Sequence, residues 1–280
     1  MKAKQLLDNG QLTAAIEQLN TEVRSQPNDL GRRTFLFELL CFAGDLSRAE
    51  RQLDAISHLD ANPMAMLGSQ VYRNLLDAEK KRASLFGEGL RPRFMLEPSG
   101  AVLLHLEALE LTRQGRGQEA RARLDQAAEQ RPPRPGTLNG AAFDNIQDAD
   151  DILGPVLEVF APAGYCWVPW DQIQFLEVPE PKSLRDLLWT PARLASFDGQ
   201  MGEVFLPSLY PGAHAGVDDA IRLGRKTEWA ETDGGIVRGS GQRMLLVGDE
   251  ARTLLDLRDV QFGPPDPGQE TATASTEEQP

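Results

Sequence analysis

The stretch Gly10-Gln11-Leu12-Thr13-Ala14-Ala15-Ile16-Glu17-Gln18-Leu19-Asn20 decides how the chain is read, because its glycine, alanine and leucines recur at a fixed distance. Shifted by 34 residues, Gly10 falls on Gly44, Leu12 on Leu46, Ala15 on Ala49 and Leu19 on Leu53. Shifted by 105, Gly10 falls on Gly115, Ala15 on Ala120, Leu19 on Leu124 and Pro27 on Pro132. A glycine supplies the left-handed stop after one helix, a small residue lets two helices approach, and the leucines fill the seam between them. A period of 34 residues is that of tetratricopeptide helix pairs, whose apolar faces only a neighbouring pair can cover. Between the second and third copies there is room for one degenerate pair around Pro63 to Phe86, then a Gly/Pro-rich loop from Gly87 to Pro98 and a helix near Ser99 to Gln114. Four units are expected in the first 135 residues.

Arg131-Pro132-Pro133-Arg134-Pro135-Gly136 cannot continue a helix and marks a linker. A short helix is expected to end at Phe160; beyond it the texture changes. Tyr165 to Pro169, Ile173 to Val178, Arg193 to Ser196, Glu203 to Leu206, Gln242 to Val247 and Thr253 to Val260 are partly aromatic or β-branched and bounded by Gly, Pro and Asp, as strands are. A turn or two of helix is expected at Ser183 to Leu188. From Gly263 onward no large apolar side chain occurs, and a disordered acidic tail is expected. The fold class is therefore α+β: a tetratricopeptide-like helical-pair solenoid over residues 1–135, a smaller mixed, β-containing domain over 136–262, and the tail over 263–280.

The 280 residues carry 42 acidic and 29 basic side chains, a formal charge of −13. Residues 1–140 hold 19 basic and 18 acidic groups, whereas 141–280 hold 10 and 24, so the acidity belongs to the second half. Nucleic acid is excluded as a general partner, since phosphate recognition needs a basic excess. A membrane helix is excluded too, because no apolar run approaches the roughly 18 residues required, and no signal-peptide core follows Met1, so the cytoplasm is the expected compartment. Cys41 and Cys166 lie in different halves in apolar surroundings and are expected as buried free thiols.

Chemistry finds little purchase. His58, His105 and His214 are the only histidines, none at ligand spacing from another His or Cys, so no metal and no cofactor is expected. A Cys166/His214 nucleophile pair lacks a glycine-rich turn or a flanking base. Gly239-Ser240-Gly241 and Arg222-Leu223-Gly224-Arg225-Lys226 match neither a P-loop nor a dinucleotide fingerprint and read as glycine turns. Asp148-Ala149-Asp150-Asp151 lacks calcium-loop spacing and reads as a solvated helix start.

What stands out is arginine interleaved with large rings: Leu187-Leu188-Trp189-Thr190-Pro191-Ala192-Arg193-Leu194, Glu203-Val204-Phe205-Leu206-Pro207-Ser208-Leu209-Tyr210, and Asp218-Asp219-Ala220-Ile221-Arg222-Leu223-Gly224-Arg225 with Trp229. Trp, Tyr and Arg anchor protein interfaces. Equally, Trp189 and Trp229 suit a core, with the arginines paired to local carboxylates.

At these segments, and at Gly241-Gln242-Arg243-Met244-Leu245-Leu246-Val247-Gly248-Asp249-Glu250, the sequence resembles the ImpE/TagJ (SciE-type) accessory proteins of bacterial type VI secretion systems. The likeness runs from the repeats to about Phe262 and is densest in the second half. It implies a non-enzymatic adaptor that binds the N-terminal helix of the small sheath subunit (TssB, also called VipA) and influences recycling of the contracted sheath by the unfoldase ClpV. It implies no catalytic residue. Trp189, Arg193, Tyr210, Arg222, Arg225, Trp229 and Arg243, the interface-type side chains of the matching segments, are the candidate partner-binding residues. A hydrolase or nucleotide-binding enzyme built on the glycine-rich second half, and a repeat scaffold for another complex, are the alternatives. The acidity of the second half suits a basic, salt-sensitive protein partner.

Overall fold

A computed structural model describes residues 2–263 apart from position 61. The tail expected over 263–280 therefore lies, beyond Gly263, outside the described residues. Seven helices come first: α1 (Lys2–Asp8), α2 (Leu12–Ser25), α3 (Leu30–Phe42), α4 (Leu46–Leu59), α5 (Pro63–Glu88), α6 (Gly100–Arg113) and α7 (Gly117–Gln130). The repeat glycines make the turns of α1–α2, α3–α4 and α6–α7, with φ of +77°, +70° and +72° at Gly10, Gly44 and Gly115. Each turn closes the same way: the N–H after the glycine, at Gln11, Asp45 and Arg116, donates back to Leu6, Leu40 and Leu111. That is the Schellman closure that glycine permits. Ala15, Ala49 and Ala120 are wholly buried, and Leu19, Leu53 and Leu124 lie in the seams.

Pro63 to Phe86 differs from the expected pair, because it lies within one helix of 26 residues. Asn62 caps its start by accepting from the Met64 N–H, Pro63 takes the first position, and the next left-handed glycine is Gly89, at φ +79°. Gly68 weakens the helix interior but is not followed by a turn, so the helix runs on. The solenoid consists of three pairs and one long helix.

The second half contains β2 (Gly136–Leu138), β3 (Ala141–Phe143), β4 (Ile146–Asp148), β5 (Val156–Ala161), β6 (Gly164–Pro169), β7 (Ile173–Glu177), β8 (Trp189–Ser196) and β9 (Met201–Pro207). After the short helix α8 (Asp219–Arg222) come β10 (Thr227–Thr232), β11 (Ile236–Gly241), β12 (Met244–Val247), β13 (Glu250–Thr253) and β14 (Asp259–Phe262). The loop between α5 and α6 adds β1 (Arg93–Phe94), parallel to β6. One sheet has the order β1-β6-β5-β9-β8-β7-β14-β2-β3; β13-β12-β4 form a second, and β10-β11 a hairpin. The helix expected before Phe160 is instead strand β5, because Val156-Leu157-Glu158-Val159-Phe160 is buried at every position, the pattern of a central strand. Thr253 to Val260 is not one strand: a short 3-10 turn, Leu254–Asp256, separates β13 from β14.

Two apolar cores flank the large sheet. One includes buried residues of every solenoid helix together with Val156, Phe160, Trp167, Trp189 and Tyr210, so helices and sheet share it. The other holds Leu157, Val159, Val168, Leu176, Leu194 and Val260 between the large sheet and β12. His105 on α6 helps fasten the halves: its Nδ1–H donates to the Ile152 carbonyl at 3.0 Å. Burial keeps this imidazole neutral, with a pKa pushed down to about 4.

Because the unfolded chain takes up that proton near pH 6.5 and the folded chain only near 4, stability attributable to His105 is present above pH 6.5 and is lost as the pH falls towards 4. The loss amounts to at most about 3 kcal/mol. Urea titrations of the protein and of His105→Gln between pH 7.5 and 4.5 check this: the variant is expected to show a flatter acid limb.

Candidate partner-binding groove

The densest polar constellation is buried. Arg82 of α5 crosses to Glu158 of β5, donating Nε and Nη2 to its two carboxylate oxygens at 2.8 Å each, and Nη2 also reaches the Leu209 carbonyl at 2.7 Å. Arg243, just before β12, donates Nη1 to Glu158 at 2.9 Å and Nε to Asp148 at 2.6 Å. Tyr165 donates its hydroxyl to Glu158 at 2.5 Å and accepts from the Trp167 indole N–H at 2.6 Å. Tyr210 donates to Asp148 at 2.9 Å, and the Trp189 indole N–H donates to Glu79 of α5 at 3.1 Å. Burial works against the Glu158 carboxylate, but Arg82 and Arg243 outweigh it and hold its pKa below the ordinary value. Burial works against the Arg82 guanidinium as well, and Glu158 with Glu79 overrides it, raising the pKa. At Asp148 burial prevails, pushing the pKa up to about 6.

Asp148-Ala149-Asp150-Asp151 is therefore not a solvated helix start. Asp148 and Asp150 are buried. Asp150 accepts from the N–H groups of Ile152 and Leu153 through one oxygen, and from Arg238 and the Gly239 N–H through the other, at 2.7 and 3.0 Å.

Trp189, Tyr210 and Arg243 thus face the interior, each at most 1% exposed. Arg222 and Arg225 bridge the halves. Arg222 donates to Asp219 at 2.8 Å and to the Thr13 hydroxyl at 3.1 Å, and Arg225 donates to the carbonyls of Leu7 and Asp8 at 2.8 and 3.1 Å. A cation on the last carbonyls of α1 is the placement that the helix dipole favours. Arg193 is exposed and pairs with Glu177 at 3.1 Å. Trp229 is 44% exposed and stands edge-on to Tyr210. Of the seven, Arg193, Arg225 and Trp229 are exposed, and the Arg225 guanidinium is taken up by the end of α1.

A cleft of about 910 Å³ lies on the solenoid, where the end of α5 and the turn at Gly89 part from α6 and α7. Leu90 and Leu103 line it while 54% and 41% exposed, with Leu106 and Ala122 beside them. Its rim carries Arg113–Glu110, Arg116–Glu119 and Arg123–Glu107 ion pairs, each already neutralised. An apolar floor between paired charges suits the apolar face of an amphipathic helix. The sequence signal for it was the apolar surplus of α6: Val102 and Leu109 fill the core, leaving Leu103 for the other face. A smaller cleft of about 530 Å³ lies between α1, α3 and the turn at Pro181 to Leu187. Among the described residues, no three His, Cys, Asp or Glu side chains are grouped to hold a metal ion, and no helix is long and apolar enough to cross a membrane.

Fold and groove define the class: an α+β protein in which a helix-pair solenoid is joined to a sheet and leaves a cleft with exposed leucines between charged rims open on the helices. A family model described as ImpE protein matches residues 140–261. The type VI secretion system accessory component TagJ of Pseudomonas aeruginosa is 38% identical over 266 residues, covering 95% of this chain and 92% of that protein. The chain belongs to the ImpE/TagJ family of type VI secretion accessory proteins. The crystal structure of VPA1032 from Vibrio parahaemolyticus superimposes with a TM-score of 0.86 at 28% identity, covering 94% of this chain and 98% of that one.

Replacing Glu158 by Ala strands two buried guanidinium groups and is expected to cost about 3–5 kcal/mol of stability. Arg193→Ala, at an exposed pair, is expected to cost under about 1 kcal/mol. Chemical denaturation of the two variants beside the parent protein checks both.

Proposed function

We propose that the chain is a non-enzymatic, cytoplasmic adaptor of type VI secretion that takes the N-terminal helix of the small sheath subunit TssB (VipA) into the α5–α6–α7 groove, and so influences sheath assembly or ClpV-dependent recycling. The observation that carries this reading is the groove itself, where Leu90 and Leu103 stand open to solvent between rims of paired charge. Kinship with an accessory component of that secretion system supplies the biological setting. Because the rim charges already neutralise one another, binding rests on apolar contact and depends only weakly on salt.

Calorimetric titration with TssB, and with TssB lacking its N-terminal helix, tests the proposal. Binding is expected to vanish with the helix, to weaken at least about tenfold in Leu103→Asp, equivalent to some 1.4 kcal/mol, and to stay unchanged in Leu187→Asp at the smaller cleft. Equal binding of both TssB forms would sink helix capture. Nucleotides and divalent metals are expected to leave the melting temperature in place, whereas a true ligand at 100 times its Kd adds about 2.7 kcal/mol.

A further inference from the structure

The β10–β11 hairpin has one edge in use and one edge open. The N–H of Gln242 donates to the Lys226 carbonyl, which fixes the hydrogen-bonding parity of the hairpin, and pairing is regular from Thr227↔Gly241 to Thr232↔Ile236. In an antiparallel pair, alternate residues exchange hydrogen bonds with the partner and the others point their N–H and C=O away. Glu228, Ala230 and Thr232 therefore face β11, and Thr227, Trp229 and Glu231 direct their backbone groups outward. The same parity appears on the far side, where the N–H groups of Val237 and Gly239 turn away from β10 to Asp151 and Asp150. Within the described residues β10 pairs with no other strand.

This edge is guarded by negative charge alone. Native edge strands are shortened, bulged, or given Pro or charged side chains against unwanted pairing. β10 has six residues, a regular register, no Pro and no Lys, and Glu228 to Glu231 are all exposed. It is also held rigid at both ends. At the base, a side chain on Gly241 would come within 2.1 Å of the Lys226 carbonyl oxygen. At the tip, the Gly117 N–H opening α7 donates to Asp233 at 3.0 Å, and a Cβ on Gly234 would meet the Gly117 carbonyl at 2.2 Å. A strand template fixed in advance lowers the ordering cost of adding another strand.

Charge selects the occupant. Glu228 and Glu231 stand on opposite faces of β10; Lys226 pairs with Glu228, Arg238 across the hairpin is taken up by Asp150, and among the described residues Glu231 makes no ion pair. Trp229 adds an exposed ring of the kind that attracts cations. The chain's own residues 264–280 hold four carboxylates and no Lys or Arg, so they are mismatched to this edge. We propose that the outer edge of β10 receives an extended basic segment of a partner protein as an additional strand, bonded to the backbone of Trp229 and Glu231 and flanked by Glu228 and Glu231. Trp229 and Glu231 are not among the residues that line the helix groove.

A fluorescein-labelled octapeptide of alternating Lys and Val tests this on the full chain, with alternating Glu and Val as the control. Fluorescence anisotropy is expected to show saturable, salt-sensitive binding of the basic peptide alone, and hydrogen exchange at the Trp229 and Glu231 amides is expected to slow on binding. Glu231→Pro removes one outward N–H while sparing the ladder to β11, and is expected to weaken the peptide about tenfold without changing TssB binding. Leu103→Asp should leave the peptide bound as before. Absent binding, binding that leaves those two amides exchanging freely, or equal affinity for the acidic peptide each overturns the proposal. So does sedimentation showing a dimer that Glu231→Pro abolishes, since the edge would then belong to a second copy.

Discussion

Glu158 is the charge on which the arrangement of the halves depends. It sits at the centre of β5, a strand buried at every position but its last, and accepts from two guanidinium groups and a phenol. Taking one carboxylate and two arginines out of water is costly, and the cost is offset only if every lone pair finds a donor in good geometry. Arg82 reaches Glu158 only if α5 lies across β5 at one height and angle. Arg243 reaches it only if the chain between β11 and β12 returns beneath the same strand. Apolar contact alone would hold the solenoid against the sheet in several nearby positions; this network admits one. β1, Arg222 and Arg225 add further ties between the halves, at the surface where water competes.

The arrangement also accounts for the sequence of the second half. The segments that carry the family resemblance are rich in Trp, Tyr and Arg, and such residues anchor interfaces because a large ring with one polar atom packs densely while its hydrogen bond is kept. Trp189, Tyr210 and Arg243 do this between parts of a single chain. From sequence, an interface within the molecule and one with a partner have the same composition, and only the burial of Trp189 against Glu79 of α5 separates them. The solenoid was far more legible. Gly10, Gly44 and Gly115 act through bonds within six residues of themselves, so periodicity alone locates them. α5 escaped because its 26 residues form no turn for a repeat to mark. β5 escaped because a short buried strand and a short buried helix are alike in hydropathy. The pairing of Asp148 with Arg243 spans 95 positions, beyond the reach of any local pattern.

Electrostatics divides the surface in the same way. The acidity of the second half is partly internal: Asp148, Asp150, Glu158 and Asp186 are buried and bound to arginines, one of which, Arg82, comes from the near-neutral first half. What reaches solvent is uneven. On the solenoid groove three Arg–Glu pairs cancel beside exposed leucines. On the β10 hairpin carboxylates outnumber cations beside an open backbone edge and a half-exposed tryptophan. The two surfaces differ in the force that would fill them, apolar contact at the groove and charge with backbone pairing at the hairpin. Raising the salt concentration would weaken the second far more than the first, so ionic strength would separate the two proposed engagements.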